Sequence, residues 1–137
     1  MTLDKFYTFE IPDTVYSKFE IPDNVRDVWW YRCGDRYYNV TRFISRPVLV
    51  IDVPINWKSD VGHIVRRVLA YRRDSLRKEA VRAKAIKIIY RLPPTYDRTK
   101  LLDTCLRAGD GEGYEMQTQD IEDEESKWFC VDFTPTN

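Results

Sequence analysis

Five cations recur at spacings that a helix would gather on one side: Arg66, Arg73, Arg77, Lys84 and Arg91. Stepped at about 100° per residue, they fall within an arc only about 40° wide. Guanidinium forks match two phosphate oxygens at once, and a row of cations releases counterions from a polyanion. The chemistry on offer is phosphate binding that tolerates sequence. Val61, Ile64, Val65, Val68, Leu76, Ala83, Ile86, Ile89 and Tyr90 fall opposite, as an apolar face suited to a sheet. Arg72, Ser75, Glu79 and Arg82 interrupt that face near its middle.

The stripe belongs to a basic segment, residues 58–91, with eleven Lys and Arg against Asp60, Asp74 and Glu79. Residues 110–125 carry eight acids and no base, and the whole chain balances at 22 of each sign. Such segregation implies a charged partner or self-association through opposite charges. The first expectation is a small, non-enzymatic nucleic-acid-binding protein that contacts phosphates. The alternative is a structural or assembly protein, the basic helix of one copy meeting the acidic segment of another.

A second set of contact residues comes from a hairpin read over residues 28–43, turning at Cys33-Gly34-Asp35-Arg36. Alternation puts Trp29, Tyr31, Tyr38 and Val40 on its core face and Trp30, Arg32, Tyr37, Asn39 and Thr41 on the other. Rings beside an Arg can stack on bases or anchor a protein partner. A half-solvated antiparallel sheet gives the same pattern with no ligand.

Other chemistry finds little support. His63 stands alone, and no nucleophile elbow, phosphate loop or dinucleotide fingerprint is present. Cys33, Cys105, Cys130 and His63 lack the paired spacing of a zinc site. Asp110, Glu112 and Glu115 miss the calcium-loop pattern, since Glu115 stands where that loop needs Gly. Asp52, Glu10 and Glu20 lack the Glu-x-Lys partner of a nuclease, and Asn39-Val40-Thr41 is only a formal glycosylation site. We therefore expect no cofactor, no metal and no small-molecule substrate. With no long apolar run, no secretory leader pattern and three scattered cysteines, the expected setting is cytoplasmic and off the membrane.

The elements needed to position these groups make an α+β chain, read as one domain over residues 1–137. Residues 1–57 read as an N-terminal antiparallel β-sheet, with 48–53 as a buried strand because Val-Leu-Val-Ile is continuously apolar. Within them Phe9-Glu-Ile-Pro-Asp-Thr-Val15 recurs as Phe19-Glu-Ile-Pro-Asp-Asn-Val25, a reused strand end and turn or a duplicated docking motif. Residues 58–108 read as helical. One long helix over 61–91, about 46 Å at 1.5 Å per residue, is capped by Asp60. A break near Asp74-Ser75 into two angled helices is the other reading. A short helix over 97–108 turns Leu101, Leu102 and Leu106 inward, 109–126 form an acidic loop, and 127–133 form a closing strand.

Overall fold

The computed structural model describes residues 12–21, 29–32, 48–53, 60–122 and 126–136. At its centre are two short runs rich in β-branched side chains. Val48–Asp52 forms β2 and Ile86–Leu92 forms β3, paired in parallel with Leu49 opposite Ile88 and Ile51 opposite Tyr90. Both carry β-branched side chains on both faces, as strands covered on both sides do. Trp29–Arg32 (β1) adds a further parallel strand beside β2. Lys127–Pro135 (β5) pairs antiparallel to β3, and Tyr114–Glu122 (β4) pairs antiparallel to β5. The result is a mixed five-stranded sheet in the order β1-β2-β3-β5-β4.

Helices cover both faces. Asp60–Ser75 (α2) carries the chain from β2 to β3, and Arg98–Glu112 (α4) carries it from β3 to β4. Both connections step the same way across the sheet, so right-handed crossovers put both helices on one face. There Ile64, Val65, Val68 and Leu69 of α2 and Leu101, Cys105 and Ala108 of α4 bury against Leu49, Ile51, Ile88, Tyr90, Phe129 and Phe133. Asp13–Lys18 (α1) covers the other face, where Val15, Phe19 and Ile21 pack with Val48, Val50, Ile89, Trp128 and Cys130. The Lys87 ammonium ties this layer down by donating to the Phe19 carbonyl at 2.6 Å and pairing with Asp132 at 3.1 Å.

Several expectations are corrected. The sheet is not an N-terminal antiparallel unit: β1 and β2 are parallel, and the strands beyond β2 come from the second half of the chain. The long helix over 61–91 does not exist. It ends at Ser75, close to the break that was the second reading. A single turn, Val81–Lys84 (α3), follows, and residues 86–92 are the central strand. Residues 13–18 are helical rather than extended, because Pro12 stands just before a helix whose φ it suits. The tail strand over 127–133 is present as β5. The helix over 97–108 is present as α4, capped by the Asp97 side chain accepting from the Thr99 N–H at 3.0 Å. It continues through Gly109 to a left-handed Gly113, and the residues after it form β4 rather than an acidic loop. Leu101 is buried, Leu102 is half-buried and Leu106 is exposed. The hairpin turn and its return arm, and the second copy of the Phe-Glu-Ile-Pro-Asp repeat beyond Ile21, lie outside the described residues.

Candidate nucleic-acid interface

The basic segment folds around an arginine that points inward. Arg72 follows Ile64, Val65, Val68 and Leu69 on the packing side of α2 and is 2 % exposed. Its guanidinium donates to three successive carbonyls, Ala83 at 2.7 Å, Lys84 at 3.1 Å and Ala85 at 2.8 Å. Those are the orphan carbonyls at the end of α3, where a cation is electrostatically favoured. The Tyr114 hydroxyl reaches the same place, 3.3 Å from the Lys84 carbonyl and 3.4 Å from that of Leu69. Burial lowers the Arg72 pKa and raises that of Tyr114, with the neighbouring guanidinium opposing the tyrosine's rise. No Gly or Pro lies between Ser75 and Ala85, so it is this pinned return that turns the chain.

Cations line α2 and the connection that follows it. Arg66, Arg67 and Arg73 are exposed on the helix, Arg77, Lys78 and Arg82 are exposed in the connection, and Lys84 is half-buried. The Lys84 ammonium lies 3.4 Å from the Arg77 carbonyl. Arg73 is spoken for: it pairs with Glu112 at 3.2 Å and donates to the Glu112 carbonyl, holding the C-terminal end of α4. Arg66, Arg67, Arg77, Lys78 and Arg82 have no ion-pair partner among the described residues.

The acidic segment behaves differently. Glu112 faces Arg73, Asp120 faces Arg98, and Glu122 lies 3.8 Å from Lys127. The latter two pairs rim a cleft of about 300 Å³ between the start of α4 and the ends of β4 and β5. Asp110 and Glu115 stay exposed without a cation beside them among the described residues.

The expected site residues are thus divided. Arg66, Arg73, Arg77 and Lys84 sit along α2 and its continuation, although not on one helical arc. Arg91 is separated from them, because β3 alternation sets it opposite Tyr90 and Leu92, toward the α1 face. Trp30 and Arg32 lie on β1, in backbone register with Val50 and Asp52. Arg32, Asp52, Arg91 and Trp128 consequently form one row across the sheet. Tyr37 lies outside the described residues. Sequence reasoning left out Arg67 and Lys78, and it set Arg82 on the apolar face. All three extend the exposed set, and their adjacency to Arg66, Arg77 and Lys84 was the available signal. Cys105 and Cys130 lie on opposite faces of the sheet, which separates two of the four side chains weighed for zinc.

No protein-family model, curated protein or solved structure matches the chain.

Proposed function

We propose that the protein binds nucleic acid through phosphate contacts from Arg66, Arg67, Arg77, Lys78 and Arg82, with Lys84 at the margin. One observation carries this reading: these cations have no acidic partner among the described residues, while the acids of residues 112–122 largely do. A surface whose positive charges stand unmatched favours an external polyanion. The same asymmetry weighs against assembly through basic and acidic patches. Glu112, Asp120 and Glu122 already face Arg73, Arg98 and Lys127, which leaves Asp110 and Glu115 as the unpaired acids of the segment among the described residues. The Arg72 pin adds support, because a fixed connection presents its cations without first having to order them.

The test is anisotropy of a labelled DNA or RNA duplex of arbitrary sequence, with the chain and with an Arg77→Glu, Lys78→Glu, Arg82→Glu variant. Each lost phosphate contact weakens binding about 8-fold at 0.1 M salt. The folded variant is expected to bind at least that much more weakly. Equal affinity in the two proteins, or no salt-dependent binding by the unmodified chain up to about 100 µM, would overturn the reading.

A further inference from the structure

Along one edge of β4, backbone groups have no partner strand among the described residues. Thr136 N–H donates to the Gly113 carbonyl at 2.9 Å, and Pro135, which has no N–H, stands opposite Tyr114. Antiparallel alternation then turns the N–H and C=O of Gln117, Gln119 and Ile121 toward β5, and those of Met116, Thr118, Asp120 and Glu122 outward. Among the described residues, β4 is the last strand on its side of the sheet. The outward Asp120 carbonyl receives only a long 3.4 Å bond from the exposed Lys18 ammonium. Natural edges are usually blunted by charge. Here two of the three β4 acids, Asp120 and Glu122, are already offset by Arg98 and Lys127.

We infer that this edge is the interface of a homodimer, in which two β4 strands pair antiparallel about a two-fold axis at Thr118. Overlap of all nine residues sets Thr118 opposite Thr118, Met116 opposite Asp120 and Tyr114 opposite Glu122. Every such pair joins two outward-facing residues, as the ladder requires, and the central three rows make about six backbone hydrogen bonds. The same register sets Glu115 opposite Ile121, so no acid faces an acid directly, where like charges repel most. The apolar side chains beside the edge fit this partner. Gly109 of α4 lies against Phe133 and the Tyr114 carbonyl, so the flank carrying Leu102, Leu106 and Gly109 looks toward β4 and away from α2. Leu106 is 44 % exposed there, which leaves apolar surface that a two-fold copy covers with its own Leu106. An axis normal to the sheet keeps both α2 helices on the same face. The inference does not depend on nucleic-acid binding.

Light scattering coupled to size exclusion tests it. The unmodified chain is expected at twice its 16.4 kDa mass. Thr118→Pro removes an outward N–H at the axis without touching the β5 ladder, and it is expected at the mass of one chain. A Thr118→Cys variant in a Cys33→Ser background supplies the positive arm. Residues facing across the axis sit about 5.5 Å apart at Cα, within disulfide reach, so mild oxidation should give a covalent dimer. Cys105 and Cys130 are buried and add no background. A monomeric unmodified chain, a Thr118→Pro protein that stays dimeric, or no covalent dimer from Thr118→Cys would each overturn the inference.

Discussion

Replacing Arg72 with Ala should cost about 2–4 kcal/mol of stability. Its side chain makes three charged hydrogen bonds, each worth roughly 1.5–3 kcal/mol. The Ala83 carbonyl belongs to an exposed residue and can be rehydrated, while Lys84 and Ala85 are half-buried and lose more. Against this stands the desolvation of a buried cation, which the variant no longer bears. Two half-buried carbonyls and a lost side-chain stem leave the net within the stated range, or about 10 °C in Tm for a chain of this size. Arg72→Lys should lose about half as much, since an ammonium reaches one or two of the three carbonyls. The assay is urea denaturation followed by tryptophan fluorescence, with Trp128 buried as a reporter. Amide exchange across residues 76–85 should quicken in the same variant, because the connection loses its anchor. An Arg72→Ala protein within about 0.5 kcal/mol of the parent would refute the view that this guanidinium turns the chain.

Two glycines of one helix should respond oppositely. Gly113→Ala should cost about 1–2 kcal/mol, because its φ of 77° is the left-handed cap that L side chains resist. Gly111→Ala, with nothing within 4 Å of a new Cβ, should gain about 0.5–1 kcal/mol by the same denaturation assay. Burial pushes the Cys105 and Cys130 thiols up from 9.0 to about 12, so neither should react with a thiol reagent at pH 8 until the chain is unfolded. The unfolded thiols ionise first and the folded ones hold their protons. Stability is therefore intact below about pH 9 and falls as pH rises toward 12. Cys105→Ala and Cys130→Ala should each flatten that fall in a stability-versus-pH series.

What the sequence made legible followed from how strongly each element's pattern matched its surroundings. Val48 to Ile51 and Trp128 to Phe133 read as strands because their apolar runs are short and rich in β-branched or aromatic side chains. The spacing of Leu101 and Leu102 after Asp97 marked α4, although Leu106, expected inward, is exposed. The central strand was misread for a physical reason. Ile86 to Leu92 alternates except at Ile89, which is buried on the other face, and Ile86, Ile89 and Tyr90 also fit a helical spacing. Its β-branched density and the Pro93-Pro94 stop were the signals against a helix. The turn after Ser75 had no Gly or Pro to announce it, because a tertiary contact from Arg72 makes it. Arg72 did show in the sequence, as a cation interrupting an apolar face. Gly109 and Gly111 suggested a loop, but Gly109 serves close packing, where a Cβ would come within 3.2 Å of Phe133. The charge segregation was legible throughout. Which charges stand unmatched was not, since Arg73–Glu112, Arg98–Asp120 and Lys127–Glu122 are contacts that only the fold creates.

The salt dependence of duplex binding tests the central claim most directly. If Arg77, Lys78 and Arg82 each neutralise one phosphate, replacing all three with Ala should make the slope of log K against log salt shallower by about 2.7. Between 50 and 200 mM salt, that difference corresponds to about 40-fold in affinity. A slope unchanged by the three substitutions, in a variant that remains folded, would contradict the account.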